Sequence, residues 1–195
     1  MKLIFATNNS HKLDEMRGIL GPRYEVLGLA DIGCRDDIPE EGDTLEANAR
    51  AKALWVKERY GLDCFADDTG LEVEALGGAP GVHSARYAPG AGHDAQANTA
   101  LLLENMKNHT DRRARFRTVM ALTTASGRIH TVEGIVEGEI TTAPRGKNGF
   151  GYDPVFQPSG FDITFAEMDA AAKNTLSHRG RAARKLLELL ETINR

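Results

Sequence analysis

Two aspartates stand side by side in the run Phe65-Ala66-Asp67-Asp68-Thr69-Gly70. Adjacent carboxylates at the end of a buried strand are costly to desolvate unless something neutralises them. A divalent cation does this well, because Mg²⁺ prefers carboxylate and water oxygens. Neighbours in a strand point to opposite faces, so one carboxylate can serve a metal and the other a water. The acidic loop at 36–43 offers a further ligand at Glu40 or Glu41. A pair of turn or helix-capping aspartates is the plainer alternative.

Three more segments hold residues suited to a phosphorylated, aromatic ligand. Thr7-Asn8-Asn9-Ser10-His11-Lys12 follows an apolar strand and opens a helix. Unpaired N–H groups at a helix start attract phosphate, and Lys12 adds a full charge. Neither Gly-x-x-x-x-Gly-Lys-Ser/Thr nor Gly-x-Gly-x-x-Gly occurs, so the likeness to a phosphate loop is one of logic only. In Gly149-Phe150-Gly151-Tyr152-Asp153-Pro154, an aromatic ring between glycines is open to stacking on a base, and Asp153 can accept from ring N–H groups. Lys173-Asn174-Thr175-Leu176-Ser177-His178-Arg179-Gly180-Arg181 places basic groups at a helix start, where they oppose the dipole unless an anion or electron-rich ligand is present. Taken singly, these also read as a polar strand-to-helix turn, a turn with core aromatics, and a solvated basic face or weak RNA-binding patch. Together with the acidic pair they describe an enzyme acting on a nucleotide polyphosphate.

The elements that must position these groups follow from pattern. A short apolar strand over 2–6 leads to a helix over 11–20, capped by Ser10 and stopped by Gly21-Pro22. A strand follows near 24–27. Thr44 opens a helix to about 60, with Leu45, Ala49, Ala53 and Val56 on one stripe and Gly61 as its stop. A core strand over 64–66 ends in the aspartate pair, and 71–76 alternates as a second strand. Loops are expected at 77–81, 88–92 and 141–151, and a helix at 94–106. Strands over 115–124 and 128–140 form a hairpin at Ser126-Gly127. Two helices follow, near 165–172 and from 177, with Ser177 as N-cap, to about 193. The mixture is α/β with some antiparallel pairing.

Composition narrows the function classes. The chain has 195 residues, 41% of them hydrophobic and 27% charged, which suits one globular domain over 1–195. A net charge of -4 gives no strong attraction for nucleic-acid phosphates, so no nucleic-acid partner is expected. No apolar run approaches the roughly 20 residues that span a bilayer, and the N-terminus lacks the apolar region of a secretion signal. The expectation is a cytoplasmic protein with no membrane partner. Cys34 and Cys64 form no Cys-x-x-Cys pair and read as small buried hydrophobes.

Seven segments in order resemble the Ham1/RdgB-type inosine triphosphate pyrophosphatase family. They are Ala6–Lys12, Glu46-Ala47-Asn48-Ala49 with Lys52-Ala53, Ala66–Leu71, Gly77–Val82, Ser84–Tyr87, Gly149–Pro154 and Ser177–Gly180. The resemblance covers nearly the whole chain. It implies a homodimer of two-lobed α/β subunits, with a long curved mixed β-sheet, flanking helices and a cleft between the lobes. It implies Mg²⁺ and a small-molecule nucleotide substrate: non-standard purine triphosphates such as ITP, dITP and XTP, cut to monophosphate and pyrophosphate.

Carried over by position, Thr7, Asn8, Asn9, Ser10, His11 and Lys12 would hold phosphate with Lys52, and Thr69 would join the substrate site. Asp68 would be the catalytic acid–base residue and a metal ligand, with Glu40 the best match for the second ligand beside Glu41 and Glu46. Phe150, Gly151, Tyr152, Asp153, Lys173, His178 and Arg179 would hold the nucleotide. Arg179 has donors only, so facing the base it would favour a 6-keto over a 6-amino purine. Asn8 stands where many members have glycine, Thr69 where many have serine, Pro39 where an acid is frequent, and Ala172 where an acid is usual.

Overall fold

A central strand, buried on both faces, organises the protein. The computed structural model describes residues 2–21 and 23–193. β1 (Lys2–Phe5) pairs in parallel with β2 (Glu25–Leu27) on one side and β3 (Cys64–Val73) on the other. β4 (Pro80–Gly81) lies antiparallel on the far end of β3. With β5 (Arg113–Thr123), β6 (Ile129–Ile140) and β7 (Phe156–Pro158), the order is β2-β1-β3-β5-β6-β7, with β4 on β3. β6 and β7 are antiparallel, so the sheet is mixed and the protein α/β.

β3 departs from expectation. The Asp-Asp-Thr-Gly tetrad reads as turn chemistry that ends one strand before another begins, yet one ten-residue strand runs through it. Its place in the sheet explains this. β1 pairs with Cys64 and Phe65 just before the tetrad and β4 with Leu71 and Glu72 just after it, so pairing at its two ends holds it extended against its local turn preference. The aspartates therefore lie mid-strand, at 1% and 7% exposure.

The helices follow their caps. α1 (Ser10–Leu20) is capped by Asn9 rather than by Ser10, which is its first helical residue. Asn9 keeps an extended backbone, and its Oδ1 accepts the Lys12 N–H at 3.1 Å. Gly21 closes the helix, and Pro22 lies outside the described residues. α2 (Leu45–Tyr60) starts at the Thr44 cap and stops at Gly61. α3 (Ala95–Asn105) is capped by Asp94. The short helix expected over 165–172 is a 3-10 turn (Phe165–Glu167) followed by α4 (Ala170–Leu176), because Asp169 caps a fresh helix through the Ala172 N–H. Ser177 is the extended link into α5 (His178–Ile193).

The chain divides into two compact units. The first comprises 1–68, 118–134 and 179–195; the second comprises 69–117 and 135–178. Each has its own core. In the first, α1 and α5 bury Met16, Leu20, Ala183 and Leu186 with the stacked rings of Phe5 and Phe65, 4.4 Å apart. In the second, Phe116 meets Phe156 edge-on at 4.7 Å, beside Leu102, Met106 and Phe165. Cys34 and Cys64 are both buried and reduced.

Candidate active site

Asp67 belongs to the first unit, where α1 and α5 each bring it a cation. Lys12 Nζ lies 2.8 Å from its Oδ1 and Arg179 Nε lies 3.2 Å from its Oδ2. Arg179 also donates through Nη1 to Glu15 on α1. Burial alone would raise the Asp67 carboxyl, but Lys12 and Arg179 outweigh it and hold it well below the usual carboxylate range. Burial also pulls the Lys12 ammonium below its ordinary value, against the attraction of Asp67. Asp67 is thus a permanent anion that fixes two cations.

Asp68 meets α2 instead. Its Oδ2 accepts from Asn48 Nδ2 at 3.0 Å, and its Oδ1 lies 3.7 Å from Lys52 Nζ. Burial raises this carboxyl above its ordinary value, more than Lys52 and Lys12 lower it. Burial also works against the Lys52 ammonium, but Asp68, Asp67 and Glu40 together hold its pKa above the usual value. Alternation along β3 separates the two neighbours, as the sequence suggested. It leaves Asp68 the better proton acceptor of the pair.

Glu40 and Asp68 converge on one ammonium: Lys52 Nζ is 2.5 Å from Glu40 Oε1. Two hard-oxygen donors that already share a cation suit Mg²⁺, which takes one or two protein carboxylates and leaves its other positions to water and phosphate. Among the described residues no three His, Cys, Asp or Glu form a preformed metal cage. Glu46 pairs with Arg50 on the surface of α2, at 3.8 Å.

The turn from β1 into α1 presents its polar groups outward. Thr7 Oγ1 accepts the Asn9 N–H at 3.1 Å, and Asn8 Nδ2 donates to the Asp36 carbonyl at 3.3 Å. Asn8, Asn9, Ser10 and His11 are exposed at the N-terminal end of α1, next to Lys12.

The second unit holds the aromatic segment. Asp153 Oδ2 accepts the Phe150 N–H at 2.8 Å and Lys173 Nζ at 2.6 Å. The Lys173 ammonium lies 4.8 Å from the Phe150 ring centre. Gly149 is required: its φ is +71°, and a Cβ there would lie 2.0 Å from Asp153 Oδ2. Tyr152 packs in this core and donates to the Ser84 carbonyl at 2.7 Å. His178 stacks on Phe116 with centroids 4.5 Å apart. Gly151 follows Phe150 in the same loop, and Thr69 continues β3 in this unit.

The structure therefore gathers Lys12, Glu40, Lys52, Asp68 and Arg179 in one unit and Phe150, Asp153, Lys173 and His178 in the other. Sequence reasoning assigned no role to Glu15 or Asn48. Both were signalled by spacing. Glu15 is one turn after Lys12 on α1, and Asn48 interrupts the apolar stripe of α2 four residues before Lys52.

Comparison with known proteins places this arrangement. A dITP/XTP pyrophosphatase of Porphyromonas gingivalis is 56% identical over 190 residues, covering 97% of each chain. One from Christiangramia forsetii is 52% identical over 190 residues, covering 97% of this chain and 99% of the relative. The Staphylococcus aureus Ham1 protein structure matches with a TM-score of 0.88 at 38% identity, covering 98% of this chain and 99% of that one. The Ham1 family model matches residues 3–189, and the chain belongs to that family.

Proposed function

We propose that the protein hydrolyses non-standard purine nucleoside triphosphates (ITP, dITP and XTP) to the monophosphate and pyrophosphate, and so clears them from the nucleotide pool. The observation that carries this reading is the split between the neighbouring aspartates. Asp67 fixes Lys12 and Arg179, while Asp68 keeps a raised proton affinity beside Lys52 and Glu40. Near-full-length relatives named dITP/XTP pyrophosphatase support the substrate class.

The Thr7–Lys12 turn and Lys52 hold the phosphates. Asp68 orients a water and accepts its proton as the oxygen attacks the α-phosphorus. The bond from that phosphorus to the bridging oxygen breaks, and pyrophosphate leaves with its charge held by Lys12 and Lys52. Glu40 and Asp68 would hold Mg²⁺, which when bound supplies charge neutralisation at the phosphoryl oxygens and a more acidic water. Phe150, Asp153, Lys173 and His178 hold the nucleoside, and Arg179 offers donors to a 6-keto oxygen. The active species is a cytoplasmic homodimer. Among the described residues no helix is long and apolar enough to cross a membrane.

A panel of nucleotides with pyrophosphate detection tests this. Turnover of dITP, ITP and XTP should exceed that of ATP and GTP and should vanish in excess chelator. Asp68→Asn should abolish nearly all turnover with an unchanged melting curve. Normal turnover by folded Asp68→Asn, or full activity under chelation, overturns the corresponding assignment.

A further inference from the structure

One buried polar side chain of the first unit has no part in the chemistry above. Asn48 is 1% exposed and sits on the apolar stripe of α2, one turn before Lys52. An amide buried there is unfavourable unless it is hydrogen-bonded at both ends. Its Oδ1 accepts the Gly42 N–H at 2.8 Å, and its Nδ2 donates to Asp68 Oδ2 at 3.0 Å. The first bond fixes the amide. An N–H group must face the oxygen end, so the NH₂ end faces Asp68. Gly42 permits this approach, because a Cβ there would lie 2.8 Å from Asn48 Oδ1 and 2.9 Å from Ala47 Cβ. The carboxylate of Asp68 is thereby held by one oxygen, with the other turned toward Lys52.

We infer that Asn48 is a positioning residue for hydrolysis. Acting through its amide, it locks the carboxylate plane of Asp68 and registers it against the loop that carries Glu40. The inference rests on the reading of Asp68 as the base. A positioning group of this kind affects the chemical step more than binding. A displacement of the base by about 1 Å lowers rate on the order of 100-fold while substrate contacts elsewhere persist.

Asn48→Asp separates this role from simple anchoring of the loop. It keeps an acceptor for the Gly42 N–H and replaces the donor facing Asp68 with an oxygen. Gly42→Ala leaves both partners chemically intact but drives its Cβ into the amide. With dITP as substrate, Asn48→Asp should lower kcat roughly 10- to 100-fold with KM within about 3-fold. Gly42→Ala should lower kcat in the same direction by a smaller factor, with a cooperative melting curve. Retention of kcat by folded Asn48→Asp, or a rise in KM at unchanged kcat in either variant, overturns the positioning role. Should Asn48→Asp fail to fold, Gly42→Ala decides alone by the same split. The wild-type chain is measured first. Absence of pyrophosphate release there refutes the activity itself, an outcome distinct from any behaviour of the variants.

Discussion

Arg179 is the largest side chain that the fold buries completely, and it stays charged because Glu15 and Asp67 flank it. Its removal acts in two ways that can be measured apart. Buried Asp67 and half-buried Glu15 lose a partner, which should lower stability by about 3–5 kcal/mol. The donor proposed to reach a 6-keto oxygen also goes, so kcat/KM should fall further for ITP than for ATP, by roughly 5- to 150-fold. Equal losses on the two substrates in Arg179→Ala would show that the residue acts on Asp67 alone. Cys64 gives a second test at this scale. Burial pushes its thiol up to about 11, and the sulfur donates to the Ala53 carbonyl. The neutral form is favoured in the fold, so the stabilisation is complete below the unfolded pKa near 9. It is lost as pH rises toward 11. At pH 10.5 the wild type should have lost about 2 kcal/mol relative to Cys64→Ala, compared with pH 7.5. A stability difference between the two chains that does not change with pH contradicts this.

Among the elements, α2 was the most legible. Its cap, its stripe and its stop were read within a residue, because each is a local signal. The sequence pattern divides β3 into two strands, because pairing before and after Asp67–Gly70 overrides its turn chemistry and no local pattern reports that pairing. The same limit held for the site. The types and spacing of Lys12, Asp68 and Lys173 marked them as chemical groups. That Asp67 fixes cations while Asp68 meets α2 depends on which helix covers which face of β3. The loop before the Phe150 segment carries its own test. Gly149→Ala adds a Cβ against Asp153 in a left-handed backbone, at a cost of about 1–2 kcal/mol in strain alone. It should displace the carboxylate that holds Phe150 and Lys173, raising KM for dITP far more than it lowers kcat. An unchanged KM would remove the Phe150 loop from the binding site.

At the scale of the whole molecule, neither unit is a continuous stretch of chain. The first closes only when 179–195 joins 1–68 and 118–134. Ala182, Ala183, Leu186 and Leu190 of α5 complete the core around Phe5, Phe65 and Met120. A chain cut after residue 177 should therefore lose cooperative unfolding and bind a hydrophobic dye, although β1, α1 and β3 are all present. A sharp melting transition near the wild-type temperature in that fragment would show that the core does not depend on α5.

The same connectivity sets an order of events at the ribosome. Leu186, in the same core as Phe5, is added 181 residues after it. At typical elongation rates of about 5–20 residues per second, that interval lasts roughly 9–36 s. Throughout it the apolar face made by β1, α1 and β3 has no covering helix. Closure of the first unit's core therefore waits on the synthesis of α5.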